Sequence, residues 1–199
     1  MDQSFTVTLI RHLPTKGNVN KKYIGWTDEP VISDLKTVRK VGGAREVFGS
    51  DLMRCQQTAS ILFGDTPYIE NAKLRECSFG IWEEKTYEEL KHDTRYQAWL
   101  EDYEHIAPPE GESLSQLEVR VKAGFKEVVT CSDHPIIVTH GGPIRALLSR
   151  FADSSKKFWE WDVPHGSMYI MRWKDRQEVL EGKYCTSYSV EHLMEKELL

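Results

Sequence analysis

The chain has 199 residues, with 26 Lys and Arg against 31 Asp and Glu and a net charge of −5 at pH 7. This length predicts one domain over residues 1–199, and the 40% hydrophobic content argues against disorder. The acidic balance does not favour nucleic acid, and no membrane span or signal peptide is visible, so we expect a cytoplasmic protein with neither nucleic acid nor membrane as a partner.

The first half of the chain contains two short apolar runs separated by loops and helical stretches. Ser50 and Asp51 are residue types that cap helices, and they predict a helix start. Gly42 and Gly43 weaken the predicted helix that contains them. The predicted elements are a strand over 5–10, a loop over 14–30, a helix over 35–46, a strand at 47–48 and a helix from the caps to residue 63.

The second half alternates helices with short strands. Ser113 and Gln116 have the spacing of a capping box, and the apolar residues that follow recur three and four apart, as on one helical face. Pro143 fits the first turn of a helix. The predicted elements are helical character over 85–103, a helix containing Leu117, Val121, Phe125 and Val128, a strand over 135–139, a helix to 151, a hairpin of 167–173 with 177–181, and a solvated helix or frayed end over 191–199. This alternation predicts a three-layer α/β/α sandwich with a mostly parallel central sheet.

Two histidines follow the two most apolar strands. Arg11 and His12 come directly after the first strand, and His140 follows the strand over 135–139. Ligands of parallel sheets bind beyond the carboxyl ends of the strands. We therefore expect both histidines to face one crevice, which suggests a histidine nucleophile in a cationic pocket and hence phosphoryl transfer.

Hydrolysis of a phosphate monoester without a metal needs fixed cations, an in-line nucleophile and an acid for the leaving oxygen. Neutral imidazole is a competent nucleophile, and guanidinium groups match phosphate oxygens. Arg11 and His12 supply one of each, and Arg54, one turn into a capped helix, adds a second cation. The acid should be a carboxyl group, but spacing alone does not choose among Glu76, Glu83 and Glu84.

Four segments resemble the sequence signatures of the histidine phosphatase superfamily, which is phosphoglycerate mutase-like. The signature R-H-G-x-T-x-x-N is matched by Arg11 and His12 with Thr15 and Asn18. The signatures S-x-L-x-R-x-x-x-T-A and L-x-E-x-x-F-G-x-W-E are matched by 50–59 and 74–83, and the second histidine segment by 138–145. The resemblance implies a phosphoglycerate mutase-like fold.

The resemblance also implies roles for individual residues. His12 would become phosphohistidine, and Glu76 would protonate the leaving group and then activate water. Arg11, Arg54 and His140 would hold the phosphoryl group. No metal and no other cofactor is expected. The remaining expected binding residues are Asn18, Thr15, Gly141 and Trp82, with Trp99 beside the leaving group and His165 near the rim.

Two residues depart from the family pattern. Leu13 stands where the family has glycine after the nucleophile, and Pro14 follows it. Leu13 could crowd a tight turn, and Pro14 lacks an N–H that would otherwise meet phosphate. We expect a changed shape of the phosphate loop rather than changed chemistry.

Within the superfamily the chain resembles a phosphatase more than a mutase, because no insertion typical of mutases follows Glu76. Residues 96–102 and 108–113 resemble the α-ribazole phosphatase branch of cobalamin biosynthesis, and a broad-specificity phosphatase stays open. A phosphoglycerate mutase and a catalytically silent phosphate-binding protein are less favoured functions. The expected partner is a small phosphate monoester, with a homodimer left open. The four cysteines, at 55, 77, 131 and 185, are expected to be reduced.

Overall fold

The computed structural model describes residues 4–33, 35, 37–152 and 155–194. Its described strands are β1 (Phe5–Arg11), β2 (Val47–Gly49), β3 (Tyr68–Glu70), β4 (Ile136–Thr139), β5 (Ser167–Trp173) and β6 (Ser187–His192). They form one sheet in the order β3-β2-β4-β1-β5-β6. The pairs β1 with β4, β2 with β4 and β2 with β3 are parallel, whereas β5 is antiparallel to both β1 and β6. The sheet is thus mostly parallel, as predicted.

The helices of the described residues are α1 (Lys16–Val19), α2 (Met53–Phe63), α3 (Tyr87–Leu90), α4 (Thr94–Glu101), α5 (Leu114–Cys131), α6 (Gly141–Phe151) and α7 (Arg176–Leu180). The capping box before α5 is confirmed: the Gln116 side chain accepts from the Ser113 N–H at 2.8 Å, and Ser113 Oγ accepts from the Gln116 N–H at 3.3 Å. Pro143 lies in the first turn of α6, where its missing N–H costs no helical hydrogen bond. The long predicted loop over 14–30 contains α1.

Helices cover both faces of the sheet. In β1, Val7 and Leu9 belong to an apolar cluster with residues of α5 and α6. Ile10, on the opposite face of β1, packs with Val138 and with residues of α2. Successive side chains of a strand point to opposite faces, so β1 is buried on both sides. This arrangement confirms the three-layer α/β/α architecture.

The helix predicted over 35–46 is wrong for the part that the structure describes, because residues 37–46 contain no helix. Gly42 and Gly43 have φ angles of 64° and 73°, which a right-handed helix does not accept. The segment instead bonds to distant parts of the chain: the Arg39 N–H donates to the Leu193 carbonyl at 2.8 Å, and the Val41 N–H donates to the Leu62 carbonyl at 3.0 Å. Residues 34 and 36 lie outside the described ranges.

The prediction of a second hairpin strand over 177–181 is also wrong. Residues 176–180 form α7, because Asp175 caps it by accepting from the Glu178 N–H at 3.0 Å. The partner of β5 is β6, which lies further along the chain. Glu191 and His192, expected in a helix or frayed end, are therefore residues of β6, and the rest of that expectation over 195–199 lies outside the described residues.

Candidate active site

His12 lies immediately after β1 and is buried, with 3% of its surface exposed. Its backbone N–H donates to the Thr139 carbonyl at 2.9 Å, which ties it to the end of β4. Its Nδ1 lies 2.7 Å from the Leu13 carbonyl oxygen. Because that oxygen can only accept, Nδ1 carries the ring proton and Nε2 keeps its lone pair. Burial, followed by the neighbouring His140, holds the pKa of His12 well below its ordinary value, so the ring is neutral.

His140 faces His12, with ring centroids 5.0 Å apart and an angle of 65° between the ring planes. It is the N-cap residue of α6 and is fully buried. Arg54 Nε donates to His140 Nδ1 at 3.3 Å, which places the proton of His140 on Nε2, 3.5 Å from Cys55 Sγ. Burial, with Arg54 next, holds the pKa of His140 well below its ordinary value. The two strand-end histidines therefore face one another, as expected.

Arg54 is fully buried in the first turn of α2. Its Nη1 donates to the Thr27 carbonyl at 2.8 Å and its Nη2 to the Gly25 carbonyl at 2.6 Å. That loop is held in turn by the Glu83 carboxylate, which accepts backbone N–H groups of Gly25 at 3.0 Å, Trp26 at 2.9 Å and Thr27 at 3.1 Å. Glu83 therefore positions the loop that positions Arg54, a function that sequence spacing did not indicate.

The predicted caps of α2 are wrong. The helix begins at Met53, and no side chain of its N-cap residue bonds to it. Instead, Asp28 in the loop before it accepts from the Met53 N–H at 2.8 Å. Asp51 is paired with Arg75, whose Nε donates to it at 2.7 Å, and Ser50 Oγ accepts from the Leu52 N–H at 3.3 Å, before the helix begins.

Arg11 ends β1 and lines the cleft beside His12. Its Nη1 donates to the Val163 carbonyl, and its Nη2 donates to His165 Nε2 at 3.0 Å. Its Nε is buried and has no partner among the residues that the structure describes. Burial lowers the pKa of Arg11 to about 10, so the guanidinium stays charged at neutral pH. Nε and the second N–H of each terminal nitrogen thus have no acceptor among the described residues and are left for a ligand.

His165 lies deeper than the rim position that the sequence suggested. Its ring centroid is 5.0 Å from that of His12, and its Nδ1 lies 3.1 Å from the His12 carbonyl oxygen. Burial, with Arg11 next, lowers the pKa of His165 to about 3. The position follows from topology: β5 is antiparallel to β1, so the residues before β5 lie at the end of β1.

Glu76 lies on the cleft wall near Arg11. Its carboxylate accepts from the Gly142 N–H at 3.1 Å and from the Cys77 N–H at 2.9 Å. Gly142 is in the first turn of α6, where free N–H groups stabilise a negative charge. Glu83 is occupied by the loop, and Glu84 is exposed. Among the three carboxyl groups left open by the sequence, the structure therefore brings Glu76 to the cleft.

The other expected binding residues divide into two groups. Asn18 lines the cleft, and Thr15 supports it: Asn18 Oδ1 accepts from the Thr15 N–H at 3.1 Å. Gly141 begins α6, and a Cβ there would lie 2.9 Å from Arg145 Nη1. Trp82 is 1% exposed inside an aromatic cluster, and the structure does not bring it to the cleft. Trp99 packs in that same cluster and does line the cleft.

Leu13 is accommodated without backbone strain. Its φ angle is not positive, and its N–H donates to Thr58 Oγ1 at 2.9 Å. Its side chain is fully buried, and its Cδ2 would lie 3.4 Å from a Cβ on Gly166, which has a φ of 68°. The loop thus holds a buried leucine after the nucleophile, packed near Gly166.

The cleft next to these residues has a volume of about 200 Å³. Aromatic side chains form much of its wall, namely Tyr23, Phe79, Trp99, Tyr103, Phe158 and Trp159. Lys22 and Arg145 add positive charge. The site therefore combines a cationic end with an aromatic wall that suits a planar, largely apolar leaving group.

Two further features are absent from the described ranges. No helix there is long and apolar enough to cross a membrane. The same residues contain no group of three or more His, Cys, Asp or Glu side chains that could hold a metal ion.

Comparison with known proteins places the chain in a family. The model of the histidine phosphatase superfamily (branch 1) matches residues 7–186. An adenosylcobalamin/alpha-ribazole phosphatase of Salmonella typhimurium is 27% identical over 172 residues, covering 79% of this chain and 85% of that protein. A 2,3-bisphosphoglycerate-dependent phosphoglycerate mutase of Bartonella quintana is 27% identical over 164 residues, covering 72% and 79%. The crystal structure of the alpha-ribazole phosphatase from Shigella flexneri shares the fold, with a TM-score of 0.76, 23% identity and coverage of 95% and 96%. The chain therefore belongs to the histidine phosphatase superfamily (branch 1) and is an enzyme of the phosphatase class.

Proposed function

We propose that this enzyme hydrolyses small phosphate monoesters through a phosphohistidine on His12, without a metal, and that its substrate is α-ribazole 5'-phosphate. One observation carries the chemistry: His12 is neutral and donates from Nδ1 to the Leu13 carbonyl, so Nε2 is free to attack. Neutral imidazole is a competent nucleophile. His140 packs against the His12 ring, and Arg11 and Arg54 are the cationic side chains whose charges act on it.

In the first step, His12 Nε2 attacks phosphorus and the bond from phosphorus to the leaving oxygen breaks. Glu76, protonated for this step, gives its proton to that oxygen, which leaves as an alcohol. Arg11 and Arg54 stabilise the charge on the equatorial phosphoryl oxygens. His140 exchanges its weak contact with Cys55 for a hydrogen bond from Nε2 to the same group.

In the second step, water attacks the phosphohistidine. The Glu76 carboxylate accepts a proton from the water, the bond between phosphorus and Nε2 breaks, and inorganic phosphate leaves. His12 regains its neutral state with the proton still on Nδ1. Glu76 is thus an acid first and a base second, and returns to its protonated form for the next cycle.

The proposed substrate is supported by the names of relatives and by the cleft. α-Ribazole 5'-phosphate carries a planar aromatic base, and the cleft offers aromatic side chains beside the cationic end. We expect Trp159→Ala to raise KM for this ester, because Trp159 lines the cleft and is half exposed. Tyr184→Ala is the matched control, since Tyr184 is similarly exposed and does not line the cleft.

A phosphoglycerate mutase is the second candidate, favoured by the similarity to the Bartonella quintana enzyme. It predicts interconversion of phosphoglycerates in the presence of a bisphosphate primer. Hydrolysis of α-ribazole 5'-phosphate at a higher kcat/KM than other phosphate esters, with no interconversion of phosphoglycerates, favours the phosphatase. Equal kcat/KM for unrelated esters would instead indicate a broad-specificity phosphatase.

The chemistry is tested by hydrolysis of p-nitrophenyl phosphate with excess EDTA. We compare the wild type, His12→Ala and His92→Ala, the last being an exposed histidine outside the site. Turnover that survives EDTA, is retained by His92→Ala and is lost in His12→Ala supports the proposal. Activity retained by His12→Ala would overturn it, and loss of activity with EDTA would overturn the metal-free mechanism. Binding of phosphate without turnover of either ester would indicate a silent phosphate-binding protein.

A further inference from the structure

We propose that His165 is a positioning residue that joins the Arg11 side chain to the His12 backbone and holds both in place for phosphoryl transfer. The inference rests on the proposed function, since it requires His12 as nucleophile and Arg11 as a phosphate ligand. His165 does not need to touch substrate in order to act. Its effect passes through the two residues that it connects.

The two ring nitrogens of His165 make hydrogen bonds of opposite sense. Nδ1 lies 3.1 Å from the His12 carbonyl oxygen, so it must donate. Nε2 lies 3.0 Å from Arg11 Nη2, and a guanidinium can only donate, so Nε2 must accept. Only the neutral ring with its proton on Nδ1 satisfies both bonds. The result is a continuous chain from the Arg11 guanidinium to the carbonyl of the nucleophile.

The charges around His165 favour that neutral form. The positive groups that face it are Arg11, Arg54 and Arg145, and the residue is partly buried. A proton on Nε2 would point at an N–H of Arg11 and remove the acceptor. The pKa of His165, lowered to about 3, is consistent with the geometry that assigns Nε2 as an acceptor.

The connection determines which N–H groups of Arg11 stay available. Val163 and His165 each accept from one terminal nitrogen, and Nε is buried without a partner in the described part of the chain. Fixing both terminal nitrogens orients the plane of the guanidinium, and so directs Nε. With His165 removed, the Val163 carbonyl is the one acceptor left to these terminal nitrogens among the residues that the structure describes. Small displacements of a positioned catalytic group cost large factors in rate.

The test compares three variants, each lacking a different part of the connection. In His165→Gln the amide can reach the position of Nε2 and accept from Arg11. In His165→Asn the amide reaches only the position of Nδ1 and donates to the His12 carbonyl. His165→Ala lacks both bonds, and His92→Ala is the control at an exposed histidine. The measurements are kcat and KM for p-nitrophenyl phosphate, the inhibition constant of inorganic phosphate, and the melting temperature.

We expect His165→Ala to lower kcat/KM by about 10²-fold and to raise the inhibition constant of phosphate. His165→Gln should recover most of the phosphate affinity, and His165→Asn should recover less at the same melting temperature. A role in stability alone would lower the fraction of active enzyme, so kcat would fall while the inhibition constant stayed unchanged. That result, or equal losses in the Gln and Asn variants, would overturn the proposal.

The Gln and Asn comparison decides the question even where His165→Ala does not fold. Failure of the proposed function gives another result: the wild type would not turn over p-nitrophenyl phosphate, or His12→Ala would turn it over as fast as the wild type. A further outcome is that His12→Ala loses activity while His165→Ala keeps the kcat, KM and phosphate inhibition constant of the wild type. That result would contradict the role of His165 and leave the proposed function intact.

Discussion

The ring of His12 donates from Nδ1 to the carbonyl oxygen of the next residue, Leu13, at 2.7 Å. The acceptor belongs to the same loop as the nucleophile, so the tautomer is set by local backbone geometry rather than by a remote carboxylate. The backbone of Leu13 is also anchored on its other side, because its N–H donates to Thr58 Oγ1 at 2.9 Å. The residue that departs from the family pattern therefore contributes its backbone, not its side chain, to the nucleophile.

Thr58→Val should destabilise the protein and lower its activity. Thr58 Oγ1 accepts from the Leu13 N–H at 2.9 Å and donates to the Arg54 carbonyl at 2.6 Å. Valine keeps the volume but leaves a buried N–H without an acceptor, which costs about 1–3 kcal/mol. The free energy of unfolding in urea and kcat for p-nitrophenyl phosphate measure the two effects.

Thr130→Val is the matched control for that variant. Thr130 is exposed on α5, and its Oγ1 donates only to the Lys126 carbonyl of its own helix at 2.8 Å. We expect a change within about 0.5 kcal/mol and an unchanged kcat. Equal losses in the free energy of unfolding of the two variants would show that the hydrogen bond to Leu13 does not stabilise the protein more than an exposed threonine does.

Glu76→Gln should separate the two chemical steps. The amide oxygen can still accept from the Gly142 N–H, but the group can neither give nor take a proton. For an alkyl phosphate we expect kcat to fall by about 10²–10⁴-fold. With p-nitrophenyl phosphate the leaving group departs without a proton, so the phosphoenzyme accumulates and a burst of nitrophenolate approaches one per active site. Equal losses with both esters and no burst would contradict the role of Glu76.

Glu83→Gln should weaken phosphate binding through Arg54. The Glu83 carboxylate accepts from the backbone of Gly25, Trp26 and Thr27, and an amide would turn an N–H₂ group toward one of those donors. We expect a loss of about 1–3 kcal/mol in stability together with a higher KM. Glu84→Gln is the control at a neighbouring exposed carboxylate. A rise in KM that is equal in both variants would argue against this coupling.

Stability should fall as the pH drops below about 6.5. Burial lowers the pKa values of His12, His140 and His165 in the folded state, so the unfolded chain binds protons first. The stabilisation is complete above the unfolded pKa and is lost on acidification by up to about 1.4 kcal/mol per histidine per pH unit. Melting temperatures between about pH 7.5 and pH 5 measure this slope.

His165→Gln serves as the comparison for the pH experiment. Its slope should be smaller than that of the wild type because one of the three titrating groups is gone. A melting temperature that stays constant over the whole range would show that the three rings do not titrate differently in the two states, and an identical slope in the variant would show the same for His165 alone.

Much of the fold was predictable because its signals are local. The apolar run of β1, the capping box at Ser113 and Gln116 and the first-turn Pro143 each lie within one element, and each is confirmed. The helix expected over 35–46 failed because Gly42 and Gly43 adopt positive φ angles. The second strand of the hairpin failed because Asp175 caps a helix, a local signal that competes with the apolar pattern of that segment.

The site residues likewise separate into those predictable from local sequence and those placed by contacts between distant segments. Residue type and position at a strand end were enough to predict that His12 and His140 share a crevice with Arg11, and family resemblance selected Glu76. Spacing could not show that Glu83 holds the loop of Gly25, which holds Arg54, because these contacts join residues far apart in sequence.

His165 shows most clearly what tertiary structure decides. The sequence predicted only that His165 lies near the rim, and the position of the ring depends on β5 returning antiparallel to β1. That direction brings the start of β5 to the end of β1, where His165 meets Arg11 and His12. Local patterns report how a segment folds by itself, whereas the direction in which two distant strands pair is settled by the burial of the whole sheet.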